Sequence, residues 1–177
     1  EHAFKYCTQN SQEESNDSDI IQIIRNNTDI LNREDGLNPY ILHQKIQNIM
    51  DKHVGIVREE KELIEGIKQL ENIKAELKKM KAYPASQYNP GWNLAIDLNN
   101  MIVICEAVAK AALNRKESRG AHTRLDYPEE KEECITFNSI IKKTEEGTMS
   151  IDKEPRNRPP EELSKIAYSD LETLENV

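Results

Sequence analysis

The residues that could bind a metal ion or act as nucleophiles are few and widely spaced. Histidines occur at positions 2, 43, 53 and 122, and the cysteines are Cys7, Cys105 and Cys134. A protein metal site usually draws at least two ligands from one helical face or one short loop, and neither residue type supplies such a pair. The spacing predicts no metal site, and the histidines are expected to be structural.

Ser118, His122 and Asp126 have the residue types of a catalytic triad. They fall within nine residues of chain, whereas known triads collect their groups from separated segments that orient each one. The six glycines lie too far apart for a dinucleotide fingerprint or a phosphate-binding loop. We therefore predict no catalytic residue and no cofactor-binding residue in this chain.

The segment from Arg115 to Pro128 is locally basic within an acidic protein. Basic groups at a helix C-terminus complement the helix dipole, but here they continue beyond the expected helix end. Arginine is suited to bidentate pairing with carboxylates of another element. Solvated surface charge and direct anion binding are the alternatives. We predict an inter-domain or inter-subunit docking role for Arg115, Glu117, Arg119, His122, Arg124 and Asp126.

Composition limits the class of protein that can carry these groups. The 177 residues include 24 Lys+Arg and 32 Asp+Glu, and the resulting net charge of −8 disfavours nucleic-acid binding. No apolar run approaches the roughly 20 residues that span a membrane, so direct membrane insertion is not expected. The aromatic content of 5% disfavours a β-sandwich or barrel and leaves a mostly helical protein.

Four helices are expected to position the candidate docking residues. Two of them begin with an asparagine followed by proline, because asparagine caps a free N–H and proline at the first position needs no donor. The third carries apolar residues at three- and four-residue steps, with Glu and Lys between them. The predicted helices are Ile20–Asn32, Asn38 to Gly55, Glu59–Lys81 and Asn89 to about Lys116, with Gly120 closing the last one.

The last of these helices is apolar on nearly all of its circumference between residues 92 and 116. Such a helix must be buried nearly all round, and three amphipathic neighbours would cover about two-thirds of it. Another domain, another subunit or the later segments must therefore pack on the remaining face.

After Pro128 the pattern changes to alternation, and Glu146-Gly147 marks a turn, which predicts a β-hairpin. The expected fold is all-α: a three- to four-helix bundle with a small C-terminal β-hairpin. We divide the chain into the end of a preceding domain with a polar linker (1–19), the helical bundle (20–128), the hairpin extension (129–154) and a polar tail (155–177).

The cysteines and the amino terminus bear on location. An odd number of cysteines without a C-x-x-C pair favours a reducing compartment, and residues 1–7 lack the charged and apolar regions of a signal peptide. We expect a cytoplasmic location. The chain begins without Met and Glu1–Tyr6 resembles the end of a helix, which predicts a fragment or a processed chain.

Several blocks of the sequence together resemble a known family. Glu117 to His122, followed by Arg124 and Asp126-Tyr127-Pro128, looks like the C-terminal signature of the succinate dehydrogenase/fumarate reductase flavoprotein family. The order and spacing are similar from about Asn38 to Asp152. Three further blocks agree: Asn38-Pro39-Tyr40 with the later turn His53 to Arg58, Tyr88 to Trp92, and Asp97 to Met101.

The resemblance implies one part of a larger flavoprotein. Family members place a FAD-binding domain and a substrate-capping domain before the helical C-terminal domain, and they interconvert succinate and fumarate. No position here matches the family's catalytic or flavin-linking residues, so this segment is expected to pack and dock, with FAD bound by a preceding domain. The implied partners are that flavin-binding domain and an iron–sulfur subunit, with membrane association through partner subunits.

Two other interpretations remain open. L-aspartate oxidase shares the family architecture and would be distinguished by its reaction with oxygen rather than with an iron–sulfur partner. A free-standing helical interaction module would instead use the apolar helix and a charged face to bind a partner, and would fold without flavin.

Overall fold

The computed structural model describes Lys5, residues 17–157, residues 160–167 and Ser169. Most of the predicted helix end at 1–6, the polar stretch 8–16 and the last residues of the tail lie outside the described residues. The first helix starts three residues before the predicted start of the bundle at residue 20. The long helices are α1 (Asp17–Asn32), α2 (Pro39–Ile49), α3 (Glu60–Leu77) and α4 (Pro90–Asn114).

The helix starts confirm the predicted asparagine caps. The Asn38 side-chain oxygen accepts from the Tyr40 N–H at 2.9 Å, and the Asn89 oxygen accepts from the Trp92 N–H at 3.0 Å. Proline follows each cap, where its missing N–H costs nothing. The start of α3 has no side-chain cap from its own N-cap residue.

The hydrophobic core lies between α2, α3 and α4. The predicted apolar stripe of α3 is buried at Leu63, Leu70, Ile73 and Leu77, and these side chains form one cluster with buried residues of the other helices. In α1 the only buried residue is Ile30, and the isoleucines of its first half are exposed. The helical spacing therefore predicted α1 correctly, but it did not indicate that only Ile30 of this helix would be buried.

The central helix α4 contacts each of the other three long helices. It contains one buried charge, Glu106, whose carboxylate pairs with Lys74 of α3 and with Lys110 at 2.6 Å. Val103, Ile104 and Val108 stay exposed on the described part of the chain. The bundle thus covers only part of the apolar circumference, as the sequence indicated.

A short π-helical turn (Met50–Val54) extends α2 and carries His53 into the interior. His53 Nδ1 lies 2.7 Å from the Glu62 carboxylate of α3. The two helices approach so closely here that a Cβ atom on Gly66 would lie 2.8 Å from His53 Cβ. Glycine at position 66 therefore permits the close contact between α3 and this turn.

Replacing Gly66 with alanine should destabilise the protein by up to about 2 kcal/mol. Overpacking against His53 costs about 1–3 kcal/mol, and the helix propensity gained by alanine, roughly 1 kcal/mol, offsets only part of it. Urea denaturation measures the change. Gly91→Ala is the control, because a Cβ there meets Asn89 and Tyr40 at an ordinary 3.5 Å; equal losses in both variants would contradict the close-contact explanation.

Two small sheets complete the described fold. The strands β1 (Val57–Arg58) and β2 (Thr123–Arg124) pair in parallel, a pairing that the sequence did not indicate. The strands β3 (Phe137–Lys143) and β4 (Met149–Pro155) form the predicted antiparallel hairpin, followed by the short helix α5 (Glu161–Ala167). The predicted fold class, a helical bundle with a small C-terminal hairpin, is confirmed.

The prediction that Gly120 closes the last helix is wrong. Helix α4 ends at Asn114, and Arg115 is already extended. Gly120 does have a positive φ of 57°, but it lies in a tight turn closed by mutual backbone hydrogen bonds between Arg119 and His122. This turn reverses the chain and directs the following residues back to the end of α4.

No helix within the described residues is long and apolar enough to cross a membrane.

Candidate docking site at the end of the central helix

Arg124 lies at the centre of the segment that follows α4, and it is 0% exposed. Its Nη1 group donates to the carbonyl of Ala112 at 2.9 Å, and to those of Leu113 and Arg115 at 3.3 Å each. The last carbonyls of a helix lack intrahelical partners, and a cation is favourable beside them. Arg124 therefore acts as a C-terminal cap for α4 from ten residues further along the chain.

The opposite edge of the Arg124 guanidinium binds Asp126. Nε and Nη2 donate to the two carboxylate oxygens at 2.7 Å each, the bidentate geometry that arginine favours. The hydrogen bonds from Arg124 hold the pKa of Asp126 at about 2. The same carboxylate accepts from the Glu60 N–H at 3.0 Å, so Asp126 provides the cap that α3 lacks locally.

Glu117 is a second buried anion in this segment, also 0% exposed. Burial opposes its ionisation, but donors converge on it: the Lys131 N–H at 3.0 Å, the Arg119 guanidinium and the Arg115 guanidinium. Together they outweigh burial and hold the pKa of Glu117 at about 2. Glu117 thereby fixes the chain after Pro128 against the end of α4.

His122 connects this segment to β1. Its Nε2 lies 3.1 Å from the Arg115 carbonyl and its Nδ1 lies 2.7 Å from Arg58 Nη1. Because the carbonyl can only accept and the guanidinium can only donate, the imidazole carries its proton on Nε2 and is neutral. Burial and the charges of Arg58, Arg124 and Arg115 lower the pKa of His122.

The stability contributed by neutral His122 should be lost in acid. Its folded-state pKa is lowered, so the contribution is fully present above the unfolded pKa of about 6.5 and declines as the pH falls below that value. We expect the melting temperature of the native protein to fall more between pH 7.5 and pH 5 than that of His122→Gln, whose amide can donate and accept without titrating. Parallel pH profiles of the two proteins would contradict the assignment.

The structure brings the six predicted docking residues together, but most of their partners lie within this chain. Arg115 and Arg119 bind Glu117, and Arg119 Nη1 also binds Glu130 at 2.9 Å. The sequence predicted that these arginines would pair with carboxylates of another element. In the structure, carboxylates of the same segment are their partners. Since Glu117 and Arg124 are fully buried, their place is inside the segment rather than on a contacting surface.

Ser118 and Arg58 also contribute to this network, and neither is among the six predicted docking residues. Ser118 Oγ accepts from the Arg124 N–H at 2.8 Å and lies 2.9 Å from the Tyr127 carbonyl, so it fixes the turn rather than acting with His122 or Asp126. Arg58 donates to His122 from the other strand of the parallel pair. In the sequence, the glycine turn that ends at Arg58 is marked only by the family resemblance, and no periodic pattern indicates a two-residue strand.

Comparison with known proteins identifies the family. The family model described as fumarate reductase flavoprotein C-term matches residues 43–168. The succinate dehydrogenase flavoprotein subunit of Coxiella burnetii is 34% identical over 93 residues, which is 52% of this chain and 16% of that protein. L-aspartate oxidase of Acinetobacter baylyi is 36% identical over 85 residues, which is 48% of this chain and 15% of that protein.

A solved structure agrees over nearly the whole chain. The Mycobacterium smegmatis Sdh1 complex in the apo form aligns with a TM-score of 0.77 and 29% identity, covering 94% of this chain and 29% of that one. The chain therefore spans about a sixth of these curated relatives and under a third of this structure. The family match also runs past Asp152, where the predicted resemblance ended, into the tail. The chain belongs to the fumarate reductase flavoprotein C-terminal domain family.

Proposed function

We propose that this chain serves as the helical C-terminal domain of a flavoprotein that interconverts succinate and fumarate with FAD. The family match over residues 43–168 carries the proposal, and the alignment over 94% of the chain with the Sdh1 complex supports it. The proposed partners are a flavin-binding part of the same protein and an iron–sulfur subunit. Association with a membrane would occur through partner subunits.

The residues of this chain do not fit FAD by themselves. A dinucleotide site needs a glycine-rich turn between a parallel strand and the N-terminus of a helix. The parallel pair β1–β2 has two residues per strand, and the described glycines with positive φ, Gly120 and Gly147, lie in a tight turn and in the hairpin turn. We therefore assign FAD to another part of the parent protein.

The proposed share of this domain in the reaction is to support the flavin-binding part. Buried Glu117 and Arg124 hold the segment after α4 rigid, so that the exposed residues beside them keep a fixed geometry. Val103, Ile104 and Val108 offer an apolar strip on α4, and apolar surface of this kind marks an interaction site when it is contiguous. Arg115, Arg119, His122 and Asp126 would border that contact.

The experiment is an assay of the purified full-length protein. Its flavin content is read from the visible absorbance, and succinate-dependent reduction of an artificial electron acceptor is compared with oxygen uptake on L-aspartate. Flavin together with succinate activity is the expected result. Flavin with aspartate-dependent oxygen uptake would favour L-aspartate oxidase, which the Acinetobacter baylyi relative keeps as the second candidate. A protein that folds without flavin would favour the free-standing interaction module.

A further inference from the structure

Arg58 is a half-buried cation whose hydrogen-bond acceptors in the described chain are all neutral. Its Nε donates to the carbonyls of Val54 at 2.9 Å and Gly55 at 2.7 Å, and its Nη1 donates to neutral His122. In contrast, Arg119 and Arg124 each contact a carboxylate. Among the described residues, no carboxylate forms an ion pair with Arg58.

The surroundings of Arg58 leave its charge uncompensated. Burial and the nearby Arg124 charge both lower the pKa of Arg58. The Arg124 charge therefore adds to the free-energy cost of burying the Arg58 charge. A guanidinium has five N–H donors, and the three hydrogen bonds of Arg58 use Nε and Nη1. Nη2 therefore remains available for a carboxylate that approaches from outside the described chain.

Exposed apolar residues lie in the β1–β2 strand pair and directly beside it. Ile56 is 75% exposed, Val57 is 59% exposed and Leu125 is 64% exposed. The pairing of Arg58 with Arg124 and the hydrogen bond from the Leu125 N–H to the Arg58 carbonyl at 2.9 Å bring them together. These three residues and Arg58 form the Arg58 patch. Apolar surface around one charged anchor is typical of a protein–protein contact in which the charge selects the partner.

We propose that the Arg58 patch docks an apolar segment of the flavin-binding part of the parent protein, and that a carboxylate of that segment pairs with the Arg58 guanidinium. This inference rests on the proposed function, which supplies the flavin-binding part. Charge complementarity selects an acidic occupant, because a carboxylate oxygen can accept from the free Nη2 group of Arg58. A second copy of this chain fits poorly, since a two-fold contact would bring the two Arg58 side chains together.

The test places a reactive amine at position 58 of the full-length protein. A soluble carbodiimide joins a lysine amine to a carboxylate in direct contact with it, with loss of water, and mass spectrometry identifies the joined peptides. In Arg58→Lys we expect a cross-link from Lys at 58 to an Asp or Glu outside residues 1–177 and on the same polypeptide. Arg156→Lys is the matched control, because Arg156 is exposed and should give no such cross-link.

The outcomes separate this inference from the proposed function. Flavin-containing protein that cross-links at position 58 only within residues 1–177, only to a separate subunit, or not at all would overturn the inference and leave the proposed function standing. Protein without flavin would overturn both. If Arg58→Lys does not fold, the native protein is labelled with phenylglyoxal, which modifies accessible arginine side chains. Arg58 should be protected from labelling while Arg156 reacts. Equal labelling rates at the two positions would overturn the inference.

Discussion

Replacing Arg124 with methionine should lower the free energy of unfolding by about 3 kcal/mol. The substitution removes the donors to the last carbonyls of α4 and the bidentate partner of Asp126, and leaving a buried hydrogen-bonding group without its partner costs about 1–3 kcal/mol. Methionine retains most of the side-chain volume, so a cavity contributes little. Urea denaturation of the full-length protein measures the loss.

Arg156→Met is the matched control for this prediction. Arg156 is exposed, and surface substitutions usually change stability by less than about 0.5 kcal/mol. Arg124→Lys should fall between the two, because an ammonium keeps the charge but cannot form the bidentate pair. A methionine variant at 124 as stable as the control would show that the end of α4 does not depend on this cap.

The elements of this fold that were predictable have a local physical signal. Caps at Asn38 and Asn89 and the apolar stripe of α3 depend on neighbours within a turn or two of helix, and the structure confirms them. The parallel pair β1–β2, in contrast, forms between two segments that are far apart in the sequence, and each strand has only two residues. The residue spacing near Val57 and Thr123 contains no pattern that predicts this strand pairing.

In the candidate site, too, the residues themselves could be predicted from the sequence, but their partners depend on how distant parts of the chain fold together. Residue type singled out Arg115 through Asp126, since basic groups in an acidic chain and adjacent carboxylates are visible in the sequence. The sequence predicts partners on another element because the basic residues continue beyond the expected helix end and arginine is suited to bidentate pairing with carboxylates. Once that turn folds the chain back, Arg124 meets the α4 carbonyls and Asp126 reaches the start of α3.

Glu117→Gln should also destabilise the protein, by about 2–3 kcal/mol near neutral pH. Glutamine keeps the shape of the side chain but replaces one acceptor oxygen with a donor, which would then face the donors of Arg115, Arg119 or the Lys131 N–H. The folded-state pKa of Glu117 is lowered from 4.5 to about 2. The contribution of its charge is therefore present above pH 4.5 and is lost as the pH falls toward 2.

Urea denaturation at a series of pH values tests both parts of this prediction. The difference in stability between the native protein and Glu117→Gln should narrow as the pH falls from 5 toward 2, while Asp126 titrates in both proteins and cancels. Glu130→Gln is the matched control, because Glu130 binds the same Arg119 at an exposed position where ion pairs contribute about 0–1 kcal/mol. Equal losses at 117 and 130 would mean that burial of the carboxylate adds nothing, and the rigid segment inferred after α4 would lose its basis.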